Sequence, residues 1–225
     1  MSVKRIHVAQ FFDGEHFVND KVLSVDAGII TAIDDNVQQA DEHLTGLVAP
    51  GFIDLQVNGG GGELFNRTSS VAGVKKILLA HAKYGTTAML PTLITDTVEV
   101  MRQAADVIAK AIAQKTPGII GIHFEGPHLS VAKKGAHSAD FIRPISEQEW
   151  QVLSRQDLGK VVVTLAPENV LPSDITKMRD LGIQVCLGHT NASFEQAQQG
   201  VDAGATGFTH LYNAMSPLQG REPGV

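Results

Sequence analysis

The chain has 225 residues, 43% of them hydrophobic, a net charge of −6 and a single cysteine, Cys186. That apolar content can fill a core, which excludes a disordered chain, and the acidic balance without a clustered basic face excludes a nucleic-acid surface. One cysteine makes no internal disulfide, and no apolar run approaches the roughly 20 residues of a membrane helix or the core of a signal peptide, so a cytoplasmic protein without a membrane partner is expected.

Residues 1–48 read as part of a small β-domain. Short β-type runs at 3–12, 16–18, 22–25 and 29–33 are separated by turn signals at Asp13-Gly14, Asn19-Asp20 and Ala27-Gly28. The pattern changes at Pro50-Gly51, and residues 49–225 form the second expected domain. Strands are expected there at 51–57, 86–93, 118–124, 160–166, 184–187 and 204–209, and helices near 71–84, 97–114, 146–154, 173–181 and 193–203. Ser146 and Ser173 precede acidic residues as helix caps, and Gly85, Gly182 and Gly204 follow helix ends. Strand then helix, repeated, implies a parallel sheet with right-handed crossovers. The expected class is α/β: an incomplete (β/α)8 barrel with about six strands, cut off before strands seven and eight.

Three of these strands end in residues that can bind a metal: Gly121-Ile-His-Phe-Glu125, Val185-Cys-Leu-Gly-His189 and Gly207-Phe-Thr-His210. In a parallel β/α barrel the carboxyl ends of the strands converge on one mouth, where catalytic groups collect. One Glu and two His form the ligand set of an open zinc site with a fourth position for water, an arrangement suited to hydrolysis. Singly, each histidine reads as a structural residue and Glu125 as a loop carboxylate; matching strand-end positions carry the metal reading. Alternation turns His123 to the same side as Glu125, as a neighbour of the ligands, and leaves His128 in the following loop. Gln56 and Asn58 share a face of the first strand, but amides bind zinc weakly beside imidazole, so a single metal is expected with Gln56 as a polar neighbour. The run Gly59-Gly-Gly-Gly62 lacks both the Lys-Ser/Thr of a P-loop and the spacing of a dinucleotide fingerprint, and reads as a tight turn.

Six segments, in order, resemble the N-acetylglucosamine-6-phosphate deacetylase family of the amidohydrolase superfamily. They are Pro50-Gly-Phe-Ile-Asp-Leu-Gln-Val-Asn-Gly-Gly-Gly-Gly62, His123-Phe-Glu-Gly-Pro-His128, Lys134-Gly-Ala-His137, Gly188-His-Thr-Asn-Ala192, Thr209-His-Leu-Tyr-Asn-Ala-Met215 and Gly220-Arg-Glu-Pro-Gly224. The resemblance implies a metal-dependent β/α barrel with a small β-sandwich built from both chain ends, residues 1–48 being one part of it. It implies one divalent cation, zinc or alternatively iron, on Glu125, His189 and His210. It implies a phosphorylated amino sugar as substrate, with Ala136 on its wall, His137 contacting the sugar and polarising the acetyl carbonyl, and Asn213 and Ala214 holding the phosphate. It also implies a phosphate-binding Arg221 acting across a homodimer. The family's general base is an aspartate at the end of strand eight; no residue here takes that role, Asp54 included, so this length of chain is expected to be inactive. Two alternatives stay open: another amidohydrolase reaction, or a sugar-phosphate-binding protein without catalysis.

Overall fold

The computed structural model describes residues 3–35, 37 and 40–225. The chain divides into two compact units that meet in sequence between Phe52 and Ile53. The first is a four-stranded sheet of β1 (Lys4–Phe12), β2 (Phe17–Asp26), β3 (Ile29–Asp34) and β4 (Glu42–Val48), in the order β3-β2-β1-β4. Antiparallel hairpins join β1 to β2 and β2 to β3, while β4 returns parallel to β1. The turn expected at Asn19-Asp20 does not exist. β2 runs straight through it, with Asn19 opposite Gln10 and Lys21 opposite Val8. Asp20 absorbs the irregularity in a left-handed conformation (φ 52), which Asp tolerates better than most residues. β4 carries no strong period of its own; pairing with β1 makes it a strand. Val8, Phe11 and Leu23 form the unit's small core.

The second unit alternates strands and helices: β5 (Phe52–Val57), a short hairpin of β6 (Gly59–Gly60) and β7 (Glu63–Leu64), α1 (Val71–Ala82), β8 (Thr86–Ile94), α2 (Val98–Ala113), β9 (Gly121–Glu125), α3 (Glu147–Leu153), β10 (Lys160–Leu165), α4 (Pro172–Asp180), β11 (Gln184–Leu187), α5 (Phe194–Ala203) and β12 (Gly207–Phe208). The sheet order is β12-β11-β10-β9-β8-β5. Spatial order follows chain order without reversal, so each unit adds its strand to the same edge. This is how a β/α barrel is wound; a doubly wound sheet reverses direction at a switch point. The expected strands and helices are all present. One boundary differs in its chemistry: α4 starts at Pro172, whose missing N–H suits the first helical position, and Ser173 is not its cap.

The core explains the pattern. On α2, Met101, Ala104, Ala105, Ile108 and Ala111 are buried at helical spacing. They join Met89, Leu93, Ile122 and Phe124 of β8 and β9 in one apolar cluster. Strands covered on both faces read as continuous apolar runs, as Val161-Val-Val163 of β10 does.

The loop between β9 and α3 carries Ala136 and His137, and Arg143 fixes its course. The Arg143 Nη1 donates to the carbonyls of Asp96 (2.7 Å) and Phe141 (2.8 Å), and its backbone N–H to Pro127. His128 Nδ1–H donates to the Arg143 carbonyl at 2.9 Å. Nε of Arg143 pairs with Glu149 Oε1 at 2.7 Å. Glu149 also closes a capping box with Ser146 at the start of α3. Burial pushes the Glu149 carboxyl up, but hydrogen bonds from Ser146 and Arg143 outweigh it and hold it at about 2, below its ordinary 4.5. Its folded value being depressed, the contribution is complete above pH 4.5 and disappears as the pH falls through about 2. Glu149→Ala should therefore lower unfolding stability by about 3 kcal/mol at neutral pH. In urea unfolding series, that deficit should shrink between pH 4.5 and the most acidic condition at which the fold survives.

Candidate metal centre

Glu125 is the last residue of β9, and only 2% of its surface is exposed. A lone buried carboxylate is costly, so its partners define the site. Its Oε1 lies 3.1 Å from His189 Nε2 and 2.9 Å from His210 Nε2, and accepts from Gln56 Nε2 at 2.7 Å. Gln56 comes from β5, His189 from the residues after β11, and His210 from those after β12. The ligand-type atoms of Glu125, His189 and His210 all lie within 4.8 Å of one another. Oxygen and nitrogen ligands held about 2.0–2.2 Å from one cation sit roughly 3–3.5 Å apart, and the carboxylate–imidazole distances of 3.1 and 2.9 Å fit a shared divalent ion.

The electrostatics agree. Burial pushes the Glu125 carboxyl up, but the His189 hydrogen bond and the neighbouring imidazoles overcome it and hold it down at about 2. Burial pulls His189 down, yet its bonds to Glu125 and to the Lys133 carbonyl prevail and raise it. The pocket therefore favours a carboxylate faced by positive charge. His189 Nδ1–H donates to Lys133 O at 2.9 Å, which sets the ring so that Nε2 points at the cluster.

Two backbone features create this geometry. His189 (φ 48) and His210 (φ 58) both adopt the left-handed conformation just past their strands, which turns their side chains back over the sheet end. Such residues cost on the order of 1–3 kcal/mol each and persist where surrounding contacts fix them. Gly126 (φ 84) turns the chain after Glu125, and a Cβ there would lie 2.2 Å from Thr95 Oγ1. Gly188 is needed for closeness instead: its Cβ would meet Thr209 Cβ at 2.8 Å and Thr164 Cγ2 at 2.9 Å.

His137 is buried and joins the cluster from the β9–α3 loop, its Nε2 3.8 Å from Glu125 Oε2 and its ring edge against His189. Burial lowers its pKa to about 4 despite the opposing pull of Glu125, so the ring is neutral at neutral pH. Thr95 N–H donates to Nδ1 at 3.2 Å, which leaves the proton on Nε2, facing the cluster. Thr95 and the Lys133 carbonyl were not singled out from sequence. Thr95 sits just past the end of β8, a position that could have flagged it; a backbone carbonyl leaves no such signal.

His123 faces the interior as expected, but its nitrogens engage other partners than the ligands. Nδ1–H donates to Leu55 O at 2.9 Å and Nε2 meets Thr164 Oγ1 at 2.7 Å, with Thr209 Oγ1 a further 2.7 Å on. It ties β5, β9 and β10 together, and Thr164 extends the chain of bonds to Thr209 just past β12. Asn213 and Ala214 lie in the turn after His210: Asn213 N–H donates to His210 O (2.6 Å) and its Oδ1 accepts from Ala214 N–H (2.9 Å). Ala136 and Arg221 are exposed, and the structure gives Arg221 no contact with the cluster.

A match to the amidohydrolase family spans residues 47–222. The chain is 54% identical over 181 residues to an N-acetylgalactosamine-6-phosphate deacetylase of Shewanella sp. (strain ANA-3), covering 80% of this chain and 46% of that protein. It is 39% identical to an N-acetylglucosamine-6-phosphate deacetylase of Haemophilus influenzae, covering 78% and 46%. The crystal structure of the N-acetylglucosamine-6-phosphate deacetylase from Pasteurella multocida superposes with a TM-score of 0.91 at 37% identity, over 100% of this chain and 61% of that one. A Mycobacterium smegmatis deacetylase mutant in complex with N-acetyl-D-glucosamine-6-phosphate gives 0.90 at 30% identity, over 100% and 59%. The chain thus spans about half the length of the curated relatives it matches.

The tight turn behind Glu125 generates a direct test. Gly126→Ala combines a left-handed backbone with a clash against Thr95, and should lower unfolding stability by about 2 kcal/mol or more, read from the shift in denaturant midpoint.

Proposed function

The chain belongs to the amidohydrolase family, and from that premise we propose that the protein hydrolyses the N-acetyl amide of N-acetylglucosamine 6-phosphate, giving glucosamine 6-phosphate and acetate. The observation that carries this reading is the convergence of Glu125, His189 and His210 on one point at the strand ends. These three would hold one divalent cation, zinc or alternatively iron. When bound, that ion supplies Lewis-acid polarisation of the acyl oxygen and acidifies water at neutral pH.

The chain's own residues do the rest. Gln56 Nε2 pins Glu125 Oε1 and keeps the carboxylate turned to its two imidazoles. His137, neutral and protonated on Nε2, donates a hydrogen bond to the acyl oxygen as negative charge gathers there; a preorganised donor needs no reorganisation at that moment. Ala136 forms part of the sugar wall. The exposed Asn213 side chain can swing from Ala214 N–H, freeing both groups for the sugar phosphate, and Arg221 adds a guanidinium from a second subunit of a homodimer. Proton shuttling is left to a group outside this cluster, since Glu125 is a ligand and Thr95 engages the second nitrogen of His137. A cytoplasmic enzyme of amino-sugar breakdown is the role this reading assigns.

A second reading has its own support: the 54% identical relative is named for the galactosamine epimer. Acetate release from both N-acetylhexosamine 6-phosphates, and from the sugars without phosphate, separates the readings. The epimer with the higher kcat/KM is the substrate, and loss of the phosphate should raise KM at least about tenfold. Chelation should abolish activity and zinc or iron restore it. Elemental analysis should find about one metal per wild-type chain and little in His189→Ala. His137→Ala should lower kcat by about a hundredfold with the metal retained. Full activity in metal-depleted protein would sink the proposal.

A further inference from the structure

Glu168 stands outside the cluster, in the turn Pro167–Asn169 that follows β10, and neither the ligand set nor the substrate contacts use it. Its carboxylate nevertheless makes two short bonds to the segment that follows His189. Oε2 accepts from Thr190 Oγ1 at 2.5 Å, and Oε1 accepts from the Asn191 backbone N–H at 2.6 Å. The turn holding Glu168 is itself fixed, because Asn169 Nδ2 donates to Leu129 O at 2.8 Å.

The braced segment has two functional ends. On one side is His189, left-handed at φ 48, whose own carbonyl accepts from Ser130 N–H. On the other, the Thr190 backbone N–H donates to Ala214 O at 3.1 Å, forming a bridge between Thr190 and Met215. Thr190 is fully buried, and its hydroxyl oxygen also accepts from Ala192 N–H at 3.0 Å. Ser216 Oγ closes the arrangement by donating to Ala192 O at 2.6 Å. The path from carboxylate to imidazole and from carboxylate to the Asn213-Ala214 turn therefore runs through one residue, Thr190.

We propose that Glu168 is a positioning residue that braces the Thr190-Asn191 segment and so holds the cation ligand His189 and the phosphate-facing turn at Ala214 in register. The phosphate half of this statement rests on the deacetylase reading above; the cation half does not. Outer partners of metal ligands typically change metal affinity by about 10- to 100-fold when removed. A brace shared by two subsites should show in both readouts.

The test uses the full-length, metal-loaded protein and three variants. Glu168→Ala removes both acceptors. Glu168→Gln can still accept from Asn191 N–H and donate to the Thr190 hydroxyl, so it should restore the brace. Thr190→Val keeps the shape and loses the hydroxyl link. Glu168→Ala should weaken zinc affinity, measured by chelator competition, by about tenfold or more. It should also raise KM for the N-acetylhexosamine 6-phosphate by a larger factor than KM for the unphosphorylated sugar. Thr190→Val should shift both readouts in the same direction, and Glu168→Gln should stay within about threefold of wild type. Unchanged zinc affinity in folded Glu168→Ala overturns the proposal, whatever the substrate proves to be. If Glu168→Ala fails to fold, unchanged zinc affinity in Thr190→Val overturns it equally. Equal KM increases with and without the phosphate overturn the link to Ala214. A wild-type protein that deacetylates no amino-sugar phosphate refutes the deacetylase reading instead and leaves the zinc measurement to judge Glu168.

Discussion

A buried carboxylate facing two imidazoles is the constraint around which the second unit is organised. Glu125 ends the fully buried strand β9, where an uncompensated charge would be untenable. Compensation comes from Gln56 of β5 and from His189 and His210, which lie just past β11 and β12. None of these partners is near Glu125 in sequence. The singly wound strand order brings them together, because it places every strand's carboxyl end on one rim.

The same local field acts oppositely on two histidines that touch each other. His189 meets Glu125 Oε1 at 3.1 Å and has its other nitrogen bonded to Lys133 O, so favourable bonds overcome burial and its pKa rises. His137 stands further off, at 3.8 Å from Oε2, and burial dominates, so its pKa falls to about 4. His189 is thereby held against the carboxylate by bonds at both nitrogens, while His137 remains a neutral donor. Distance and the identity of the second hydrogen-bond partner make the difference.

Rigidity at the rim is built in layers. Close to Glu125 in the chain, His123 bonds to Thr164 of the adjacent β10, and Thr164 bonds on to Thr209 just past β12. Beside them, the Arg143–Glu149 pair and the capping box of α3 fix the long loop that delivers His137. Left-handed backbone at His189 and His210 would be unstable in isolation; it is held by Ser130 N–H on the His189 carbonyl, Asn213 N–H on the His210 carbonyl and the bonds of both rings to Glu125. Preorganisation of this kind is what lets donors act on developing charge without first rearranging.

Much of this was readable from residues alone. Apolar runs and helix caps placed the six strands of the parallel sheet and the five α-helices, because those signals are local and the core is continuous; the short β6–β7 hairpin was read only as a glycine turn. The ligand-type residues Glu125, His189 and His210 were visible as strand-end positions, since a parallel barrel converts that position into proximity. Other features had no local signature. β4 is a strand because β1 is beside it, and Asp20 bends within a strand that sequence reading broke in two. The tautomer of His137, the role of the Lys133 carbonyl and the bonds of Glu168 to Thr190 and Asn191 depend on contacts between segments far apart in the chain. Sequence determined the elements and the chemistry they carry; tertiary packing alone decided which proton each ring keeps and which backbone groups hold it there, because those choices are set by distances between residues that the polymer does not connect.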